Sequence, residues 1–170
     1  NGRNGADSGI GIVLLIKDKE PIYYSERLRF SPNTNNKAEI FAIIRGIQIL
    51  NQNYSVINAF VKDELVIYSD SDYTIQGITK WIKGWKRNGW LTASKEPVKN
   101  QELWETLDNQ LQQLNDNYEV TFIKVRGHAG VEYNAKCDKL ANYAMDTFIP
   151  EGEFFTDQDF LDGVFDDYDG

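Results

Sequence analysis

Three carboxylates stand at positions where chemistry would be served by the chain around them. Glu39 is expected in the first turn of the first long helix, Asp70 at the C-terminal end of a buried strand, and Asp138 in the last helix, just before Leu140 and Ala141. Strand ends and helix starts beside a sheet converge in space, and converging carboxylates bind hard divalent cations. Mg²⁺ suits such a site, because it takes few protein oxygens and leaves positions open for phosphate and water. Each acid taken singly also has a plainer role: a favourable charge near a helix start, a cap, a solvated helix face. His128, the single histidine, lies in the Gly127–Gly130 loop. There it is either simply solvated or a mobile group that moves protons or assists product departure. Trp81, Trp85 and Trp90 interleave with Lys80, Lys83, Lys86 and Arg87. Aromatics among bases supply stacking together with phosphate neutralisation. The competing reading makes Trp81 and Trp85, four apart, the buried face of an amphipathic helix.

The elements that must position these groups follow from periodicity. Ile10–Lys17 is an apolar run that reads as a buried strand, and Ile22–Phe30 alternates as a second, so the two form a hairpin across Asp18–Pro21. Thr34 fits an N-cap, after which Ile40, Phe41, Ile43, Ile44, Ile47 and Leu50 recur at helical spacing. Residues 51–62 are expected to link, Leu65–Ser69 to form a short strand, and residues 72–88 one or two short helices. Gly89–Val98 has turn composition, Asn100–Leu114 is helical with Leu103, Trp104, Leu107 and Leu111 on one face, Tyr118–Val125 is a strand, and Asn134–Phe148 a last helix. The order β-β-α-β-α-α-α-β-α implies an α/β fold, a mixed sheet flanked by helices.

Composition narrows the class. A chain of 170 residues is long enough for one core-bearing domain. Its 41% apolar and 13% aromatic content excludes a disordered or collagen-like chain. One cysteine, Cys137, excludes an internal disulfide framework and a zinc site built on paired cysteines; an intracellular, reducing setting is expected. No run approaches a membrane span, and no signal peptide is recognised. The net charge of −8 argues against a nucleic-acid partner, but its distribution reverses that. Residues 151–170 hold eight acids and no base, so residues 1–150 are neutral. Within them, residues 80–99 carry six bases against one acid. Local charge governs phosphate contacts more than the total does.

Taken together, Thr34-Asn35-Asn36-Lys37-Ala38-Glu39, Tyr68-Ser69-Asp70-Ser71, Gln76-Gly77-Ile78-Thr79-Lys80-Trp81, Gly84-Trp85-Lys86-Arg87-Asn88-Gly89-Trp90, Val125-Arg126-Gly127-His128-Ala129-Gly130 and Asn134 through Asp138 resemble type 1 ribonuclease H, in family order and spacing. Residues 1–149 would form the ribonuclease H-like domain, with a mixed five-stranded sheet, and residues 150–170 an acidic C-terminal segment. The stretch 80–99 resembles the family's basic protrusion.

The resemblance implies an endonuclease that hydrolyses the RNA strand of RNA/DNA hybrids, leaving a 5′-phosphate and a 3′-hydroxyl. It implies two Mg²⁺ ions, with Mn²⁺ as a substitute, held by Glu39, Asp70 and Asp138, and His128 as the mobile-loop histidine. Asn35 and Asn36 would read the hybrid's minor groove, Trp81 and Trp85 would line the DNA-strand channel, and Asn1 would reach RNA 2′-hydroxyls. An arginine that some relatives use for a DNA phosphate is Pro32 here. A monomer acting on hybrid, with no membrane partner, is expected. Two rival readings are a hybrid-binding module without cleavage and a DNA-cleaving nuclease on the same fold.

The family's central first strand ends in an Asp-Gly that supplies a further carboxylate, and its place falls just before Asn1-Gly2. Three explanations stand. The strand lies upstream in a longer chain; or it is permuted to Val164–Gly170, whose Tyr168-Asp169-Gly170 resembles its end and would make Asp169 the missing ligand; or residues 151–170 are a tail and the site is incomplete.

Overall fold

The computed structural model describes residues 7–29, 34–55, 60–125, 131–147 and 151–168. The chain divides into two compact units, residues 1–54 with 128–170 and residues 55–127. Five strands form among the described residues, in a three-stranded antiparallel ladder in the first unit and a two-stranded parallel ladder in the second.

In the first unit, β1 (Ser8–Leu14) and β2 (Ile22–Leu28) make the expected hairpin, in register from Ser8 opposite Leu28 to Leu14 opposite Ile22. The turn between them places Asp18 in the left-handed region, which Asp tolerates better than most residues. Helix α1 (Asn35–Asn53) starts at the Thr34 cap, whose hydroxyl accepts from the Lys37 N–H, and it buries Ile40, Ile44, Ile47 and Leu50. It runs three residues into the stretch expected to be a loop.

Helix α5 (Val131–Asp146) packs closely on β1. The closeness depends on two glycines. A Cβ on Gly9 would fall 2.0 Å from the Ala141 carbonyl oxygen, and one on Gly11 2.1 Å from that of Cys137. The buried Ser25 hydroxyl donates to the Leu140 carbonyl at 2.6 Å, a second tie between β2 and the helix. The helix begins three residues before the expected Asn134.

The acidic segment is structured where the chain is described. Strand β5 (Glu153–Phe155) adds antiparallel to β2, with Tyr23 opposite Phe155. Helix α6 (Asp157–Leu161) follows, started by a capping box between Thr156 and Asp159. Phe165, 1% exposed, packs with Tyr23 and Leu140. Over the described part of the expected strand, residues 164–168, no strand forms: residues 162–167 are turns, with Gly163 at a positive φ and Phe165 turned inward. Asp169 and Gly170 lie outside the described residues.

In the second unit, β3 (Asp63–Ser69) pairs in parallel with β4 (Tyr118–Lys124), Asp63 opposite Tyr118 and Ser69 opposite Lys124. β3 is not buried throughout; alternate residues, Val66 and Tyr68 among them, are exposed. A helical run joins the strands: α2 (Asp72–Gln76), a π-helical turn (Gly77–Trp81), α3 (Ile82–Arg87) and then α4 (Gln101–Leu114). A Cβ at Gly77 would sit 2.2 Å from the Trp104 indole, so the helix passes its neighbour only at a glycine. Trp104 and Leu107 on α4 are fully buried. No helix among the described residues is long and apolar enough to cross a membrane.

Candidate nucleic-acid and metal site

Glu39 lies in the second turn of α1, not the first, because the helix starts at Asn35. It is half-buried, while Asn35 and Asn36 in the first turn are exposed. Asp138 is exposed on α5, next to the Cys137 carbonyl that faces Gly11. Asp70 follows β3 directly and is exposed. Its backbone is fixed on both sides. Ser69 accepts from the Val125 N–H at 2.9 Å through its carbonyl, and its hydroxyl accepts from the Ser71 N–H at 3.1 Å. The Ser71 hydroxyl in turn caps α2 by accepting from Thr74 N–H at 3.1 Å. An exposed carboxylate on a stiff turn suits a ligand that must be in place before its cation arrives.

Glu39 and Asp138 belong to the first unit and Asp70 to the second. Among the described residues, no group of three or more His, Cys, Asp or Glu side chains is gathered to hold a metal ion. His128 and Asn1 lie outside the described residues, as does Pro32.

The tryptophan run is neither wholly core nor wholly surface. Trp104 anchors it from below: its ring lies 5.6 Å from Trp85 and 5.5 Å from Tyr73. Trp85 then meets Trp81 at 5.9 Å and Trp90 at 6.2 Å, and Tyr73 meets Trp81 edge-on at 5.7 Å. Trp81 remains 39% exposed. The outer tryptophans are therefore held by an aromatic stack while one keeps an accessible face. Trp90 sits at φ 64°, in the left-handed region a bulky residue avoids, held there by its N–H donating to the Trp85 carbonyl at 2.7 Å. Of the basic stripe, Lys86 pairs with Asp108 on α4 at 3.0 Å and serves to pin the two helices. Lys80, Lys83 and Arg87 are exposed.

Tyr73 was not singled out by motif. Its hydroxyl accepts from Trp104 Nε1 at 3.4 Å and from Asn100 Nδ2 at 3.3 Å, joining α2 to the start of α4. The signal in the sequence is an aromatic at the start of the helical run whose following π-helical turn carries Trp81.

The RNase H family model matches residues 1–146, most of the chain. Ribonuclease H of Clostridium botulinum is 43% identical over 150 residues, covering 87% of this chain and 89% of that one. Ribonuclease H of Chromobacterium violaceum is 40% identical over 145 residues, covering 85% and 88%. The chain belongs to the RNase H family. As a ribonuclease H it is a hydrolase, an endonuclease whose family acts on RNA/DNA hybrids and depends on divalent metal. Solved structures agree on the fold. The crystal structure of LC9-RNase H1, described as a type 1 RNase H with the type 2 active-site motif, has a TM-score of 0.58 at 19% identity, over 94% of this chain and 80% of that one. The solution structure of the PFV RNase H domain has a TM-score of 0.54 at 20% identity, over 82% and 93%. The three acids expected to hold a metal fit the family's divalent ion in kind: Glu39, Asp70 and Asp138 offer only carboxylate oxygens, the ligands Mg²⁺ prefers.

Proposed function

We propose that this chain hydrolyses the RNA strand of RNA/DNA hybrids, using Glu39, Asp70 and Asp138 as ligands for two Mg²⁺ ions. The observation that carries the reading is the family match across residues 1–146, which spans all three acids. Held by Glu39, Asp70 and Asp138, the ions would supply Lewis-acid activation of water and charge stabilisation at the leaving 3′ oxygen, and the products would carry a 5′-phosphate and a 3′-hydroxyl. The chain's own residues do the remaining work. Glu39, Asp70 and Asp138 supply the negative charge that attracts and holds a divalent cation. Asn35 and Asn36, exposed at the start of α1, offer amide donors and acceptors to base edges and sugars in the wide minor groove of a hybrid. Trp81 offers a stacking face, with Trp85 behind it, and Lys80, Lys83 and Arg87 neutralise phosphates. His128 assists proton movement or product departure, and Asn1 contacts RNA 2′-hydroxyls. The chain acts as a monomer in a reducing, intracellular compartment. Residues 1–149 form the nuclease domain and residues 150–170 an added acidic segment.

A second reading is hybrid binding without cleavage, favoured by the absence, among the described residues, of three gathered carboxylates. Incubating hybrid labelled on either strand, with and without Mg²⁺, decides between them. Mg²⁺-dependent cutting of the RNA strand is the expected result. Binding with both strands intact supports the second reading, and a cut DNA strand overturns both.

A further inference from the structure

The family match ends at residue 146, the last residue of α5, yet the chain continues into a segment built onto that helix. Lys136, Leu140 and Tyr143 are spaced by four and three residues and so share one face of α5. All three meet the C-terminal segment. Lys136 Nζ lies 5.0 Å from the Phe160 ring centre and 3.9 Å from Asp157 Oδ1. Leu140 is fully buried in a cluster with Tyr23 and Phe165. The Tyr143 ring meets Phe165 edge-on at 5.3 Å and Phe155 at 5.2 Å. A polar tie adds to these, since Asn142 Nδ2 donates to the Tyr168 carbonyl at 3.3 Å.

The support continues into the sheet. Tyr23 on β2, fully buried, donates its hydroxyl to Asp157 Oδ1 at 2.5 Å and accepts from Lys136 Nζ at 3.2 Å. One carboxylate thus ties the segment to both β2 and α5. On another side, the helix backbone at Cys137 and Ala141 rests against Gly11 and Gly9 of β1. A helix held on two sides is fixed in rotation as well as in position. At about 100° per residue, Asp138 lies roughly 200° round the helix from both Lys136 and Leu140. It is on the side opposite Lys136, Leu140 and Tyr143 and one turn before Asn142, whose amide meets the Tyr168 carbonyl, so a helix that turns at these contacts carries Asp138 with it.

We propose that residues 153–168 are a brace that sets the rotation of α5 and thereby orients Asp138, with Phe165 and Asp157 as its positioning residues. The inference rests on the reading of Asp138 as a metal ligand and deepens it. Apolar packing at Phe165 supplies the bulk of the hold, and the Tyr23–Asp157–Lys136 contacts fix the register. Neither residue touches the reacting atoms.

The test uses the full chain carrying Phe165→Ala, Phe165→Leu, Asp157→Asn or Asp138→Asn, at a temperature where circular dichroism shows each variant folded. Amide hydrogen exchange is followed over residues 135–142, Mn²⁺ affinity is measured by calorimetry, and hybrid affinity is measured without metal. Phe165→Ala is expected to speed exchange in α5 and to weaken Mn²⁺ binding about five- to tenfold, the low end of what indirect support of a ligand contributes. Metal-free hybrid affinity should stay within about twofold, and Phe165→Leu should recover most of the Mn²⁺ affinity. Faster exchange with unchanged Mn²⁺ affinity overturns the orienting role and leaves the segment a stabiliser. Unchanged exchange overturns the brace altogether. If Asp138→Asn leaves Mn²⁺ affinity intact, the metal reading of Asp138 fails, while the exchange result still decides whether the segment holds α5. Should Phe165→Ala not fold, Asp157→Asn, whose side chain is half-exposed, carries the same comparison with an expected loss of about twofold.

Discussion

Asp70 has a backbone held between the end of β3 and the Ser71 cap of α2, and a carboxylate that faces water. Replacing it with asparagine changes charge but little volume, so the fold should survive. Asp70→Asn is expected to lower Mg²⁺-dependent cleavage by more than about a hundredfold with an unchanged circular dichroism spectrum; residual activity within tenfold removes Asp70 from the metal site. The buried tyrosines make a separate prediction. Burial chiefly, then the hydroxyl's hydrogen bond to a carboxylate, holds the phenol of Tyr23 above its ordinary range, with Asp157 as partner. Tyr24 is raised in the same order of causes, with Glu26 as partner. Tyr118 and Tyr143 are raised first by burial too. A raised folded-state pKa means that the unfolded chain releases the proton first. Stability is therefore fully present below pH 10 and declines above it as the unfolded chain loses the phenol protons that the fold retains, most of all at Tyr23 and Tyr24. Denaturant midpoints measured from pH 9 to 11.5 should fall only above pH 10, and Tyr23→Phe should flatten that fall.

Elements meet here at points where a side chain is missing. α5 approaches β1 because Gly9 and Gly11 carry no Cβ, and the turn at Gly77 passes Trp104 for the same reason. Gly11→Ala would drive a methyl into the Cys137 carbonyl, and backbone cannot yield as a flexible side chain does. A loss of about 3 kcal/mol in chemical denaturation is expected. The tryptophan run divides its labour by depth. Trp104, buried, holds the stack, and Trp81 keeps a partly exposed face, the one proposed to take a base. Trp81→Ala with Trp85→Ala should weaken hybrid binding by about 1–3 kcal/mol in a titration, the scale of aromatic stacking on bases. An unchanged affinity would return both rings to a purely structural role. The helices that carry these groups were readable in advance because their apolar spacing was long and regular, as in α1 and α4. The start of α5 was placed late because Val131–Tyr133 carries no apolar period of its own.

For the molecule as a whole, net charge misleads. The eight acids of residues 151–170 give the chain its −8, while the exposed bases of α3 and its surroundings present the opposite sign. Hybrid affinity should therefore fall steeply with salt. Exchanging Lys80 and Lys83 together for glutamine should reduce the slope of log affinity against log salt by about 1–2, as expected for one released counterion per lost phosphate contact. A slope unchanged by the double exchange would place the phosphate contacts elsewhere. The acidic segment spends its apolar residues, Phe155, Phe160 and Phe165, on the first unit, and so its fold there does not depend on finding a basic partner.

The sequence by itself determined the order of strands and helices as far as α5, the Thr34 cap and the family, because periodicity, capping chemistry and motif spacing are local properties. It also marked Trp104 as inward, from its helical face. What only tertiary structure decided is where residues 151–168 go. Their acids suggested a tail and their final residues a displaced strand, yet Phe165 is buried against Tyr23 and Leu140, more than twenty residues away along the chain. No local pattern distinguishes a phenylalanine that finds a fitting cavity on a distant helix from one that does not; the free energy of its burial belongs to surfaces that exist only after α5 and β2 have met.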